Sequence, residues 1–443
     1  MKSTVMIAAT GSGKGKTTFV SGLLSVLNRH YSGTDKAEKK VHAFKCGPDY
    51  IDPMFHRRVL NTPSANLDSF FLDNKSLLSV FRDNSGEVNV IEAAMGLYDG
   101  IGTTDRASAY ETASILKCPI ILLVDARGMG YSIVALIRGF QSMDRDGLIK
   151  GVVINRISEK YYSRIAPVIE SNTGLKVYGY MPVMRDASLE SRHLGLMAPK
   201  ECDFDRKLEV IAGQLEESVD YAGIIKAGEN CSADGKSATY EQEKRFNRKI
   251  KIAVAKDDAF SFYYEENIKL LESAGGEVVY FSPVNDASVP EGADVIVLYG
   301  GYPENHAREL SDNKSMLESI RNASENGTKI IAECGGFMYL LDSMEVKGEL
   351  YEMAGLIRGT SYRTPSLVRF GYVNVVDREY LMRAHEFHHY DVRGVGYSTD
   401  VSVKNEASGD EYLGIIRNDR ILAGFPHMYY LSCRDMIIDF ING

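Results

Sequence analysis

The sequence predicts two α/β domains in one chain, each built around a largely parallel sheet. Short apolar runs recur in two series, and most are separated by stretches long enough for a helix, which is typical of parallel α/β sheets. Between the two series, residues 226–249 lose apolar periodicity and are rich in Gly, Ser, Lys and Glu, which predicts a linker. We therefore expect a first domain at 1–225 and a second at 250–443.

The first series of strands begins with the apolar run at 4–10. A Gly-, Ser- and Lys-rich turn follows it, and the next residues, TTFVSGLLSVLNRH, have the apolar spacing of a helix. Further strands are predicted at VHAFK, 88–96, 119–126 and 151–156. The first domain is therefore expected to open with a strand, a loop and a helix in that order.

The second series of strands begins directly after the predicted linker. Strands are predicted at 251–257, 275–282, 293–301 and 328–336, and a helix is expected between the third and the fourth. The run RILAG near the end of the sequence is a further apolar strand. The second half therefore forms an α/β domain of its own.

The composition argues against several classes of protein. The formal net charge is -9 and no basic run occurs, so electrostatic binding to nucleic acid or to an anionic membrane is not expected. The N-terminal apolar stretch is interrupted by Gly and Lys, and no apolar run approaches membrane-spanning length, so we expect a cytoplasmic protein. Six scattered cysteines without a CxxC pair predict neither a disulfide framework nor a structural zinc site.

A phosphate-binding loop is predicted between the first strand and the first helix, where glycines free backbone N–H groups to surround phosphates. The pattern GxxxxGK[ST] requires Gly at the position of Thr10, so this loop is a variant. Lys16 is expected to contact the β- and γ-phosphates, and Thr17 to bind Mg²⁺. The complete nucleotide-binding set is predicted to be Ser12, Gly13, Lys14, Gly15, Lys16, Thr17 and Thr18.

Acidic residues follow two of the predicted strands of the first domain. Asp49 and Asp52 lie in a Gly/Pro-bounded loop after VHAFK, and Glu92 ends another strand. Ligands of α/β sheets bind at this edge, and Mg²⁺ bound to a nucleotide usually takes one or two protein carboxylates. We expect Glu92 and one of the two aspartates, Asp49 in the first instance, to bind Mg²⁺ together with Thr17.

A cysteine occupies a sharp turn in the second domain. Cys334 follows a β-branched run and precedes Gly335, Gly336 and an apolar helix. A nucleophile on such a turn is exposed, lies at the positive end of the helix dipole and has backbone N–H groups nearby that can stabilise an oxyanion. We assign these N–H groups to Gly335 and Gly301. A thiol of this kind needs a base, and the candidates are His306, His385, His388, His389 and His427.

The run from His385 to His389 also matches H-E-x-x-H, the pattern of zinc-protease helices. No third ligand follows it in a helical context, and five-residue matches arise by chance. We interpret the run as a mixed polar strand or loop near the second site.

Eight motifs, taken together and in order, resemble the cobyrinate a,c-diamide synthase family of B12-type glutamine amidotransferases. The resemblance covers nearly the whole chain. It implies a P-loop domain similar to dethiobiotin synthetase, followed by a domain similar to class I glutamine amidotransferases. The motifs are SGKGKTT, KCGPDYIDPMFH, EAAMGLYDG, SRHLGL, AFSFYYEEN, GGYPENHA, AECGGFMYL and AHEFHHY.

The resemblance implies an amidoligase that uses ATP, Mg²⁺ and L-glutamine to amidate the a and c carboxylates of cobyrinate in cobalamin biosynthesis. ATP would convert each carboxylate to an acyl phosphate, and ammonia released from glutamine would travel internally and displace the phosphate. The same chemistry on nickel-sirohydrochlorin or hydrogenobyrinate is an alternative. A P-loop regulatory ATPase with an inactive glutaminase-like domain is a second alternative. A homodimer is also expected.

The resemblance also implies roles for individual residues. Cys334 matches the glutaminase nucleophile and His427 its base. Many class I glutaminases have Glu two residues after this His, whereas this chain has Tyr429, so the group that orients His427 is left open. The positions matching the acidic synthetase site are Asp49, Asp52, Glu92 and Asp99, and the candidates for binding the substrate carboxylates are Lys45, Arg57, Arg192 and His193.

Overall fold

The computed structural model describes residues 2–31, 39–187, 204–231 and 244–443. The chain divides into two compact units, residues 1–238 and 239–443.

The structure describes only the two ends of the predicted linker at 226–249. Residues 226 and 227 close a helix of the first unit, and Phe246 is buried in the core of the second. Residues 232–243 lie outside the described residues, so the predicted domain limits at 225 and 250 stay a prediction.

The first unit contains a seven-stranded sheet in the order β3-β2-β4-β1-β5-β6-β7, and all neighbouring strands are parallel. Its strands are β1 (Ser3–Ala9), β2 (Val41–Cys46), β3 (Ser64–Leu67), β4 (Val88–Glu92), β5 (Ile120–Asp125), β6 (Ile149–Asn155) and β7 (Lys176–Met181). Its helices are α1 (Lys16–His30), α2 (Ile51–Arg58), α3 (Asn74–Asp83), α4 (Ala109–Leu116), α5 (Ser132–Met143), α6 (Glu159–Thr173), α7 (Phe204–Ser218) and α8 (Tyr221–Ala227).

The strand register brings the predicted site residues of the first unit together. β4 lies between β1 and β2, and Glu92 at its end is registered with Ile7 on one side and Lys45 on the other. β1 is buried along its whole length, as expected for a central parallel strand covered on both faces. The phosphate loop, Lys45 and Glu92 therefore share the carboxyl edge of the sheet.

The regular elements of the second unit begin at β8, and its described residues form three sheets. Its helices are α9 (Glu265–Ser273), α10 (Ala307–Asp312), α11 (Lys314–Glu325), α12 (Gly335–Leu340) and α13 (Arg434–Asn442). Its strands are β8 (Ile250–Ala255), β9 (Gly276–Phe281), β10 (Val295–Leu298), β11 (Lys329–Glu333), β12 (Leu341–Val346), β13 (Glu349–Glu352), β14 (Ile357–Arg363), β15 (Arg369–Asp377), β16 (Tyr380–His388), β17 (Tyr390–Arg393), β18 (Val401–Asn405), β19 (Glu411–Tyr412), β20 (Ile415–Arg417), β21 (Ile421–Gly424) and β22 (His427–Met428). Within the described ranges, no helix of either unit has both the length and the apolar character needed to cross a membrane.

The largest sheet of the second unit has the order β20-β21-β11-β10-β8-β9, with β20 antiparallel and the others parallel. β11 lies between β10 and β21, so the turn after β11 is flanked by the ends of both neighbours. Two further sheets, β13-β12-β14-β17 and β19-β18-β15-β16-β22, are mostly antiparallel and were not predicted.

The H-E-x-x-H run lies in β16, where residues 385–388 are extended. The two histidines of the pattern, His385 and His389, therefore do not lie on successive turns of a helix, because residues 385–388 are extended and His389 lies in a bend after β16. Of the two interpretations of this run, a mixed polar strand or a loop, the structure shows a strand for residues 385–388. Among the described residues, no group of three or more His, Cys, Asp or Glu side chains is arranged to hold a metal ion.

Candidate active sites

The phosphate loop connects β1 to α1 and is shaped by glycines. Gly13 and Gly15 have φ of 69° and 92°, values that favour glycine over any other residue. Asn155 at the end of β6 donates a hydrogen bond of 2.7 Å from Nδ2 to the Lys14 carbonyl. Ser12 and Gly13 are exposed, and Thr18 lies in the first turn of α1. The loop is therefore held open at the N-terminus of a fifteen-residue helix.

The Lys16 side chain is buried beneath this loop. Its Nζ donates hydrogen bonds to the Gly11 carbonyl, at 3.2 Å, and to the Met95 carbonyl. Burial, and then the positive charge of Lys45, lower the pKa of Lys16 to about 8, although Glu92 opposes the shift. Lys16 therefore holds its proton weakly until an anion lies against it.

A buried ion cluster lies beside Lys16. Lys45 Nζ is 2.9 Å from Glu92 Oε1, 3.7 Å from Asp49 Oδ2 and in direct contact with Asp52 Oδ2. Thr17 Oγ1 donates to Glu92 Oε1 at 2.8 Å and is 3.5 Å from Asp52 Oδ2. Two buried carboxylates and one hydroxyl thus converge on the phosphate loop.

The charges of this cluster are unequal. Burial favours a neutral Lys45, but the charges of Asp52 and Glu92 outweigh burial and hold its pKa well above the usual value. Burial raises the pKa of Asp52, and the like charges of Asp49 and Glu92 add to this effect. Burial would also raise the pKa of Glu92, yet Lys45 and His56 hold it below its usual value. The single positive charge of Lys45 therefore does not neutralise the three carboxyl groups around it, those of Asp49, Asp52 and Glu92.

His56 was not predicted as part of this site. It lies one turn after Asp52 on α2, is fully buried, and places Nε2 3.6 Å from Glu92 Oε2. Neither of these two atoms has a hydrogen-bond partner among the described residues. The four-residue spacing of Asp52 and His56 on one helix face was the sequence feature that could have indicated it.

Two of the predicted acidic residues also shape the backbone. Asp49 Oδ1 accepts hydrogen bonds from the N–H groups of Ile51 and Asp52, at 2.9 and 3.1 Å, where α2 begins. Asp99 Oδ2 accepts the N–H of Gly96 at 2.8 Å and closes the turn after β4. Asp49 is thus engaged with the start of α2, whereas Asp52 Oδ2 is the aspartate oxygen that lies 3.5 Å from Thr17 Oγ1.

The predicted cations are distributed as follows. Lys45 belongs to the cluster, whereas Arg57 Nη1 donates to the Ser64 carbonyl at 2.9 Å and stabilises the connection from α2 to β3. Lys14 Nζ is 3.7 Å from Asp125 Oδ2. Arg192 and His193 lie outside the described residues.

In the second unit, Cys334 forms the turn between β11 and α12. Its φ of 50° and ψ of -105° are strained for a residue with a side chain. Its N–H donates to the Gly424 carbonyl at 2.8 Å, and a Cβ on Gly336 would overlap the Leu298 carbonyl. The turn is therefore held between the ends of β21 and β10.

The two predicted oxyanion donors lie close to each other. A Cβ built on Gly335 would be 3.2 Å from the Gly301 nitrogen, and one on Gly301 would overlap the Ala259 carbonyl. Glycine is thus needed at both positions, and the backbone N–H groups beside Cys334 can serve as an oxyanion hole.

Among the five candidate bases, His427 follows β21, the neighbour of the Cys334 strand. It lies in β22, registered with His385, and its ring is so close to Gly300 that a Cβ there would overlap it. Burial, and then the charges of His385 and His388, lower the pKa of His427 to about 3. His427 is therefore a neutral imidazole, able to accept a proton.

The environment of Cys334 differs from the exposed, dipole-activated thiol that was expected. The residue is only 9% exposed. Burial raises the pKa of its thiol well above the usual value, and the charge of Glu304 adds to this effect. The backbone amides of α12, a helix of only six residues, do not outweigh burial. Cys334 is thus a thiol at rest, and attack requires a base.

Glu333, immediately before Cys334, provides a prediction. Burial raises the pKa of its carboxyl well above the usual value, which favours the neutral form of the group. Glu333→Gln keeps the shape without a charge, and we expect the melting temperature to change by less than about 2 °C. Thermal unfolding of the variant measures this, and a decrease of about 5 °C or more would show that Glu333 is ionised.

Both halves of the chain match family models. Residues 5–196 match the CobQ/CobB/MinD/ParA nucleotide binding domain, and residues 251–434 match the CobB/CobQ-like glutamine amidotransferase domain. The first match contains the phosphate loop and the ion cluster. The second contains the Cys334 turn and His427.

Curated relatives match nearly the full length of the chain, and those compared are named cobyrinate a,c-diamide synthase. The protein from Caldanaerobacter subterraneus subsp. tengcongensis is 36% identical over 99% of this chain and 97% of its own. Those from Fusobacterium nucleatum and Listeria innocua are 37% and 39% identical, each over 96% of this chain and over 97% and 96% of their own. With both site-bearing halves included in these matches, the chain belongs to the cobyrinate a,c-diamide synthase family.

Proposed function

We propose that this protein uses ATP and glutamine to amidate the a and c carboxylates of cobyrinate in cobalamin biosynthesis. The proposal rests on one combination. A phosphate loop beside a buried Lys–carboxylate cluster, and a cysteine turn beside glycine amides with His427 following the neighbouring strand, occur in one chain that resembles the named synthases along nearly its whole length. The first site suits carboxylate activation, and the second suits release of ammonia from an amide.

At the first site, the phosphate loop binds ATP and Lys16 lies against the transferring phosphoryl group. A substrate carboxylate oxygen attacks the γ-phosphorus and ADP leaves, which gives an acyl phosphate. Ammonia then attacks the acyl carbon, phosphate leaves, and the nitrogen loses a proton to give the amide. Lys45, which stays protonated, is suited to hold the substrate carboxylate in line.

The residues at this site fit Mg²⁺. Thr17, Asp52 and Glu92 supply hard oxygen atoms, and a second cation would relieve the like charges that raise the pKa of Asp52. Asp52 takes the place that we first assigned to Asp49, because Asp49 is engaged with the start of α2. When bound there, Mg²⁺ would neutralise phosphate charge during phosphoryl transfer.

At the second site, His427 takes the thiol proton of Cys334 as the sulfur attacks the side-chain amide of glutamine. The Gly301 and Gly335 N–H groups stabilise the oxyanion. His427 returns the proton to the leaving nitrogen, so ammonia departs and a thioester remains. Water, deprotonated by His427, then hydrolyses the thioester to glutamate.

Nucleotide binding is expected to take up protons. Lys16 has a pKa of about 8 and the phosphates of Mg-ATP would raise it, so binding at pH 8 should take up about half a proton. The uptake should fall towards zero at pH 7, where Lys16 is already mostly protonated. Calorimetric titration in buffers of different ionisation enthalpy measures the uptake. No uptake at pH 8 would contradict the assigned position of Lys16.

The decisive assay combines the purified full-length chain with cobyrinate, Mg-ATP and glutamine. We expect the a,c-diamide by mass spectrometry, with one ADP and one glutamate formed for each amide. Nickel-sirohydrochlorin and hydrogenobyrinate are assayed in parallel, and amidation of either without amidation of cobyrinate would overturn the choice of substrate. Absence of glutamate release would favour a regulatory ATPase. The expected homodimer is tested on the same preparation by light scattering.

A further inference from the structure

The segment that carries His427 is short and needs support on two edges. β22 pairs with β16 on one edge, through His385↔His427, and the Tyr429 N–H donates to the Arg383 carbonyl at 3.0 Å. The position two residues after His427 is Tyr429, so no carboxylate lies where many class I glutaminases have one. Another group must fix the second edge.

Asn267 occupies that edge. This residue of α9 is fully buried. Its Nδ2 donates to the Met428 carbonyl at 2.8 Å, and its Oδ1 accepts the Tyr430 N–H at 2.8 Å. A single side-chain amide thus bonds to the residues on both sides of Tyr429, as a neighbouring strand would.

The start of α9 is itself fixed against this segment. The Asn267 N–H donates to the Tyr264 carbonyl at 3.0 Å, and the Tyr264 ring packs edge-on against that of Tyr429, with centroids 5.0 Å apart. The amide of Asn267 therefore has little freedom. Its two hydrogen bonds transmit this rigidity to the backbone that follows His427.

We propose that Asn267 is the positioning residue of His427 and replaces, through the backbone, the acidic residue missing at position 429. The inference rests on the proposed roles of Cys334 and His427. The ring of His427 lies so close to Gly300 that even a Cβ there would overlap it, so a shift of its backbone would change the position of the ring in a tightly packed site. A misplacement of about 1 Å can cost about 100-fold in rate.

The first test is Asn267→Ala in the full-length protein. We expect kcat for glutamine hydrolysis to fall about 100-fold with little change in KM, because the base is misplaced while the oxyanion hole is kept. Amidation with added ammonia should stay within about twofold. Asn313→Ala is the matched control, since the side-chain amide of Asn313 likewise bonds to backbone groups: it donates to two carbonyls and accepts one N–H at the start of α11. This variant should leave both activities unchanged.

The second test is the pH profile of Asn267→Asp. A protonated aspartic acid has the shape of asparagine and can donate to the Met428 carbonyl while accepting the Tyr430 N–H, whereas an aspartate only accepts. The ratio of variant to wild-type glutaminase activity should therefore rise as the pH falls. Because protonation of a buried aspartate also restores stability, the folded fraction of the variant is measured at each pH by circular dichroism, and the activity ratio is expressed per folded molecule.

The outcomes separate the two proposals. If the wild type releases no glutamate from glutamine, or if His427→Ala leaves that release unchanged, the proposed function fails. If release depends on His427 but Asn267→Ala keeps the wild-type kcat, the positioning role is overturned. Equal loss of glutamine and ammonia activities in Asn267→Ala, with a constant Asn267→Asp ratio across pH, also overturns it.

Discussion

Cys334→Ser is expected to abolish glutamine-dependent amidation, with a loss of at least about 1,000-fold, and to leave ammonia-dependent amidation within about twofold of wild type. Serine is similar in size, so the strained turn is kept, but the hydroxyl is a far weaker nucleophile beside a neutral His427. Phosphoryl transfer at the first site does not need the thiol. The two activities are measured as amide formed, with glutamine or with ammonium chloride as the nitrogen donor.

The control for this prediction is Cys433→Ser, a half-buried cysteine of the same unit that lies off the Cys334 turn. It should keep both activities. Loss of both activities in a folded Cys334→Ser protein would contradict the division of labour between the two units. Retained glutamine use would remove Cys334 from catalysis.

Glu92→Gln is expected to lower amidation about 100-fold or more with either nitrogen donor. Glu92 is buried and ionised, and it accepts hydrogen bonds from Thr17 and Lys45. Its amide variant removes one of the charges that raise the pKa of Lys45, and one of the two carboxylates that fit Mg²⁺. ADP formation in the presence of substrate measures the loss, while basal glutamine hydrolysis should persist.

Glu111→Gln is the control for Glu92→Gln. Glu111 is a half-buried carboxyl of the same unit that accepts hydrogen bonds from Ser69 and Ala107 and belongs to α4. We expect amidation to be unchanged in that variant. Normal turnover in Glu92→Gln would show that Glu92 is not part of the synthetase site.

The α/β class and the central strands follow from patterns within single segments. The predicted strands at 4–10 and 88–96 correspond to β1 and β4, which are mostly apolar and are buried along their whole length. β3 and β7 were missed because both lie at sheet edges, where Ser64–Leu67 is short and Lys176–Met181 contains Lys and Gly. The antiparallel strands of the second unit were missed because their alternation is interrupted by charged and aromatic residues.

The contacts between side chains of the candidate sites could likewise not be predicted from patterns within single segments. Lys45 and Glu92 were singled out separately, and their pairing arises from the register of β2 and β4. The choice between Asp49 and Asp52 depends on which carboxyl caps α2, a local detail that the spacing does not determine. The contact of Asn267 with Met428 joins positions 161 residues apart, and no local pattern indicates it.

The buried thiol of Cys334 also affects the chemical durability of the protein. Oxidation by peroxides proceeds through the thiolate, and the first product, a sulfenic acid, leads on to irreversible forms. A thiol whose pKa is raised by burial offers almost no thiolate in the resting state. We therefore expect Cys334 to be protected from oxidants while the protein waits for glutamine, and to become reactive only when its proton passes to His427.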